Sequence, residues 1–129
     1  MKPEIKKLWT DALRSGEYKQ IQLMLHSRDG FCCLGVLCDL AIKQGLDLRM
    51  DRIENLGDGH SFFAYDDFGS GLPPKVWKWA GLDQDCPSCG CSMDEGSVVP
   101  FGEEGDDLAT LNDTGTSFQD IADVIDEHF

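Results

Sequence analysis

Hydrophobic residues are densest in the run from residue 31 to residue 42, where Asp39 is the only polar side chain. A segment so uniformly apolar must be covered nearly all round. Lys43 and Gly45 after the run are typical of a helix end, which favours a buried helix over a strand. The run is too short to cross a bilayer, which takes about 20 residues. Gly35 costs about 1 kcal/mol relative to alanine inside a helix, so it predicts another backbone close by.

Four further segments have helical spacing of apolar residues or helix-capping signals. The first places Ile5, Trp9 and Leu13 on one stripe and ends at Gly16. The second segment carries two tryptophans that we expect to close the core, and the last begins at Ser117 with a capping-box-like Asp120. The predicted helices are residues 3–15, 72–81, 106–112 and 117–129.

Extended structure is predicted in three places. Residues 17–26 come close to alternating and lead into a turn, so they predict a short strand or an extended arm. Residues 61–65 have strand composition and predict one strand inside a long loop at 46–71. Residues 97–101 predict an edge strand, because Pro100 cannot donate to a ladder.

These elements predict one compact α+β domain over residues 1–129, with four or five helices around a buried central helix and a small antiparallel β element. We expect Trp9, Leu37, Leu40 and Phe118 to be buried together, because each lies on the apolar face of its predicted helix.

The charge of the chain is divided unevenly. Residues 1–78 hold 11 basic and 11 acidic side chains, whereas residues 79–129 hold 13 acidic and no Lys or Arg, which gives the net charge of −13. This field repels phosphates and excludes a general nucleic-acid-binding role. The acidic part is either a solubilising face or a surface presented to a basic partner, including imitation of a phosphate backbone.

The first residues are basic and lead into an amphipathic stretch with no apolar core of a signal peptide. We therefore expect a cytoplasmic protein without a membrane partner. In that reducing compartment the six cysteines are expected to be thiols or metal ligands.

A cysteine cluster is the candidate metal site. Cys86, Cys89 and Cys91 form a zinc half-site, with His60 as the plausible fourth ligand, but the usual second pair of ligands is missing. A loop of reduced thiols explains the same spacing.

Cys32 and Cys33 are candidates for a nucleophile. They stand at the start of the predicted buried helix, where a helix terminus would lower a thiol pKa, and His60 would be the base. Ordinary core packing explains the same residues equally well.

The chain resembles a known family in four blocks, residues 9–20, 31–40, 72–82 and 108–122, which include Phe31-Cys32-Cys33-Leu34-Gly35 and Leu111-Asn112-Asp113. That family consists of small uncharacterised proteins of tailed phages and prophages. The resemblance implies a phage or prophage origin and an accessory role against the host or its defences. It carries over no catalytic or binding residue.

The turn at residues 112–115 separates two predicted helices, as in a helix-turn-helix. The second of these helices is acidic and has no basic residue, which excludes DNA reading. Asn112 and Asp113 could instead bind a base or ribose edge. Our candidate ligand site adds positive and neighbouring polar groups from the first part of the chain, namely Arg14, Tyr18, Lys19, Gln20 and Arg28.

With the phage origin and accessory role that the resemblance implies, we expect a non-enzymatic protein that binds and neutralises a host target, by sequestering a small nucleotide-like signalling ligand in a pocket. An acidic inhibitor of a basic host protein is the alternative, and a cysteine-dependent hydrolase is a second one. Homo-oligomers are compatible with all three.

Overall fold

The apolar run forms the buried helix that its composition predicts. In a computed structural model describing residues 2–22, 24–54, 61–69, 71–81 and 107–129, helix α2 spans Cys33–Lys43. Cys32 is its N-cap, and Gly45 follows with a φ of 94°. A Cβ on Gly35 would lie 1.8 Å from the carbonyl oxygen of Leu25, so the predicted close backbone is confirmed.

Four more helices surround this one among the described residues, and their positions agree with the sequence. Helix α1 ends at Gly16, which has a φ of 78°. The side chain of Ser117 accepts from Asp120 N, so the predicted start of α5 is confirmed. Asp107 caps α4 by accepting from Thr110 N, and this helix begins at Leu108, two residues later than predicted. The bounds are α1 Pro3–Ser15, α3 Pro74–Ala80, α4 Leu108–Asp113 and α5 Phe118–His128.

The β element is a four-stranded antiparallel sheet with the order β2-β1-β4-β3. Its strands are β1 His26–Ser27, β2 Gly30–Phe31, β3 Met50–Glu54 and β4 Ser61–Tyr65. Strand β4 was predicted, and β1 and β2 form a short hairpin where the arm and turn were expected. Strand β3 was missed, because most of its side chains are exposed and give no apolar alternation.

The core lies around α2 and contains the residues predicted to meet there. Trp9 and Leu37 are fully buried, and Leu40 and Phe118 are 9% and 6% exposed in the same cluster. The indole nitrogen of Trp9 donates to the Cys33 carbonyl at 2.9 Å, which anchors α1 to the start of α2. The fold is therefore the predicted α+β arrangement.

None of the described helices is long and apolar enough to cross a membrane. The predicted edge strand at residues 97–101 lies outside the described residues.

Candidate functional site

The buried side chain of Asn112 on α4 is hydrogen-bonded to the arm before β1 and to the start of α2. Its amide donates to the Ile21 carbonyl at 2.7 Å, and its side-chain oxygen accepts from Cys33 N at 3.2 Å and from Gln20 Nε2 at 2.9 Å. The structure thus brings together Gln20 and Asn112, two of the predicted ligand-binding residues. Their polar groups tie the arm before β1 to the start of α2, so these contacts serve the fold.

Arg14 lies in a different place, between α1 and α5. Its guanidinium pairs with Asp126 at 2.6 Å and Asp123 at 2.8 Å, and these hydrogen bonds raise its pKa. It lines a shallow groove of about 330 Å³, together with Lys6 and Lys7. The predicted single site containing Arg14 and Asn112 is therefore two separate groups of contacts.

Tyr18 contacts two polar residues of α2, Asp39 and Lys43, and we call these three residues the polar triangle. Its hydroxyl donates to Asp39 Oδ2 at 2.5 Å and accepts from Lys43 Nζ at 3.1 Å. Lys43 also pairs with Asp39 at 3.0 Å. Lys43 donates hydrogen bonds to both Tyr18 and Asp39. These bonds raise the pKa of Lys43, the one to Tyr18 most, so this exposed ammonium stays charged. The sequence analysis did not predict the ion pair between Lys43 and Asp39. Its one signal was that Asp39 is the single polar residue of the apolar run.

A row of rings crosses the sheet beside this triangle. The His26 imidazole stacks on Phe31, with centroids 3.8 Å apart, and on Phe63 at 4.4 Å. These three residues are direct cross-strand neighbours on β2, β1 and β4. We call Phe31, His26 and Phe63 the aromatic row, and all three side chains are half-buried. The Tyr18 ring meets the edge of Phe31 at 5.0 Å, which joins the row to the triangle.

The central ring of the row is an uncharged histidine at neutral pH. Burial lowers the pKa of His26 below its ordinary value, and the negative charge of Asp39 opposes this only in part. His26 Nδ1 and the Tyr65 hydroxyl are hydrogen-bonded at 2.9 Å. Burial raises the pKa of Tyr65, so that hydroxyl also stays neutral. The row is therefore a neutral stack held in place from the core side.

Exposed cations stand at both ends of the aromatic row. Lys43 Nζ lies 5.4 Å from the centroid of the Tyr18 ring, beyond Phe31. Arg52 is the cross-strand partner of Phe63 on β3, and its side chain is 54% exposed. Half-buried rings flanked by cations can stack a planar base and attract its phosphates. Sequence reasoning missed this arrangement, because only strand register brings these residues together.

Three other predicted ligand residues have exposed side chains. The Lys19 carbonyl accepts from Phe31 N at 2.8 Å, so the Lys19 backbone borders the aromatic row. Arg28 lies in the turn between β1 and β2, and Asp113 is the last residue of α4.

The two candidate nucleophiles are buried thiols. Burial raises the pKa of Cys32 to about 11, and Cys33 is fully buried with its pKa also raised by burial. The expected lowering by the helix terminus was wrong, because desolvation outweighs it. A thiol that is protonated and out of reach of solvent is a poor nucleophile, and His60 lies outside the described residues.

Cys86, Cys89 and Cys91 also lie outside the described residues, so zinc at this cluster stays a prediction. Within the described ranges, no three His, Cys, Asp or Glu side chains are grouped as metal ligands.

The described part of the chain is thus a small α+β domain with a ring-and-cation surface on its sheet. The whole chain, residues 1–129, matches the family model described as Domain of unknown function (DUF8296). The chain belongs to this family. Neither a curated protein nor a solved structure matches it.

Proposed function

We propose that this protein is a phage- or prophage-encoded accessory protein that sequesters a small nucleotide-like signalling ligand in the host cytoplasm. The observation that carries the proposal is the aromatic row of Phe31, His26 and Phe63, with Lys43 and Arg52 at its ends. The protein acts by holding the ligand and needs no catalytic residue.

Stacking supplies the part of the affinity that does not depend on which base the ligand carries. A nucleobase on an aromatic side chain contributes about 1 to 3 kcal/mol. The row is preorganised, because His26 is fixed between two rings and hydrogen-bonded to Tyr65. Little side-chain freedom is then lost on binding, which favours affinity.

Charge selects for a ligand that carries phosphate. The exposed Lys43 and Arg52 attract the phosphates, while the Asp39 carboxylate, 25% exposed, can accept a hydrogen bond from a ribose hydroxyl. A long nucleic acid is repelled by the net charge of −13, whereas a short ligand meets only the local groups, where Lys43 is paired with Asp39 and Arg52 with Glu54. This difference favours a single nucleotide-like molecule.

Of the predicted ligand residues, Tyr18 is the best supported as part of the site, because its ring contacts Phe31 of the aromatic row and its hydroxyl donates to Asp39. Arg14 and Asn112 are engaged in internal contacts instead. The acidic-inhibitor alternative is less well supported, because two carboxylates of α5, Asp123 and Asp126, are already paired with Arg14. The protonated, buried thiols weigh against the hydrolase.

Isothermal titration of the full chain with mononucleotides, dinucleotide cofactors and cyclic dinucleotides tests the proposal. We expect at least one of these ligands to bind. Phe63→Ala should weaken that binding about 5- to 150-fold, because it removes one ring that stacks on the base. Phe62→Ala is the matched control, because Phe62 is the adjacent half-buried ring on the other face of β4. Equal losses in the two variants, or no binding in the whole panel, would contradict the proposal.

A further inference from the structure

The sheet has one covered edge and one open edge among the described residues. Beside β2, Phe31 N donates to the Lys19 carbonyl at 2.8 Å, and Ile21 N donates to the Phe31 carbonyl at 2.9 Å. The chain itself therefore covers that edge. Strand β3 has β4 on one side and no described strand on the other. An open strand edge is a template for pairing with another chain.

The backbone groups that face outward from β3 follow from the ladder. Asp66 N donates to the Arg49 carbonyl at 2.7 Å, which makes Arg49 and Asp66 a hydrogen-bonded pair in line with the β3–β4 register. Hydrogen-bonded pairs alternate along an antiparallel ladder. The N–H and C=O groups of Met50, Arg52 and Glu54 therefore point away from β4.

The same strand exposes apolar side chains. Met50 is 47% exposed and Ile53 is 41% exposed, and no other large hydrophobic residue in the described ranges is as exposed. Both lie on β3, three positions apart and on opposite faces of the strand, with charged residues between and beside them. Apolar area, charge and backbone groups that no described strand pairs therefore coincide at one edge.

We propose that β3 pairs with β3 of a second copy of this chain, antiparallel and centred on Ile53. A two-fold axis perpendicular to the sheet relates the two strands. The residue on the axis faces its own copy, and every other residue faces a partner residue whose number differs from its own by an even number. With Ile53 opposite the partner's Ile53, Arg52 stands opposite the partner's Glu54, and Glu54 stands opposite the partner's Arg52. Opposite charges in direct cross-strand pairs are stabilising.

The neighbouring registers are unfavourable. Centring on Arg52 would place two guanidinium groups opposite each other, and centring on Asp51 would do the same with two carboxylates. In the Ile53 register, the pairs of Arg52 with Glu54 join residues whose backbone groups point outward, so each pair exchanges two hydrogen bonds. Ile53 then occupies a non-hydrogen-bonded pair, where side chains approach most closely.

Such an interface is small, so the dimer is expected to form and dissociate with concentration. The inference does not depend on what the aromatic row binds. Sedimentation equilibrium from micromolar to millimolar protein tests it. We expect Arg52→Glu and Glu54→Arg each to weaken the dimer at least tenfold, and the double exchange to restore it. A wild-type monomer over the whole range would overturn the proposal, as would failure of the double exchange in a folded variant.

Disulfide trapping tests the register itself. Under oxidation Ile53→Cys should link two chains through residue 53, as identified by peptide mass spectrometry, because non-hydrogen-bonded antiparallel neighbours have the right separation. Asp51→Cys, the control, should not link to its own copy. Circular dichroism confirms the folding of both variants. A residue 51 link as efficient as the residue 53 link would refute the Ile53 register.

Discussion

At the scale of single residues, Asn112 shows how a residue with ligand-binding chemistry can serve the fold. It is fully buried, and its amide satisfies Cys33 N, the Ile21 carbonyl and the Gln20 side chain. Asn112→Ala takes this partner from Cys33 N and from the Ile21 carbonyl, while Gln20 keeps its bond to the Thr116 carbonyl at 2.7 Å. Because a buried polar group without a partner costs about 1 to 3 kcal/mol, we expect a loss of about 2 to 4 kcal/mol in the free energy of unfolding.

Urea denaturation measures this loss. Gln22→Ala is the control, since Gln22 is exposed near the same arm, and its change should stay within about 0.5 kcal/mol. If both variants unfolded at the same urea concentration, the role given to Asn112 would be wrong.

His26 predicts how stability depends on pH. Burial lowers its pKa in the folded protein below the ordinary value of 6.5, so the unfolded chain binds the proton more readily. This histidine has no effect well above pH 6.5, and its contribution lowers stability as the pH falls through that value towards the folded-state pKa. His26→Gln should therefore flatten the decline in unfolding free energy between about pH 7.5 and 5.5. Urea midpoints across that range check it, and identical slopes in the two proteins would contradict it.

At the scale of elements, Gly35 determines how closely α2 can approach the chain before β1. A methyl group there would meet the Leu25 carbonyl oxygen at 1.8 Å, although alanine favours a helix by about 1 kcal/mol. We expect the clash to win, so Gly35→Ala should lower the melting temperature. Thermal unfolding followed by circular dichroism measures this, and an unchanged or higher melting temperature would show that the two segments can separate without cost.

The helices were predictable because local signals determine them. In α1 the apolar stripe ends at Gly16, and Ser117 caps α5 without help from distant residues. Strand β3 lacked such a signal, since it is stabilised by pairing with β4 and its side chains are mostly exposed. The aromatic row was hidden for the same reason, because it depends on register across three strands.

At the scale of the whole molecule, folding brings α1, from the neutral first part of the chain, against the acidic helix α5. Helix α1 packs on α5, where Arg14 pairs with Asp123 and Asp126 and Lys6 donates to the Asp126 carbonyl at 3.1 Å. Exposed ion pairs of this kind contribute little stability. They do occupy the arginine that the sequence assigned to a ligand, which supports the sheet as the binding surface that we propose.

The central claim is that a nucleotide-like ligand binds on the aromatic row. Heteronuclear NMR titration of the labelled full chain, with the tightest ligand of the panel, tests it most directly. We predict that the largest shift changes fall on Phe31, His26, Phe63 and Lys43, while Phe62 and Ile53 on the opposite face of the sheet change little. The largest changes at Arg14 and Asp126 in the groove between α1 and α5 would contradict the account.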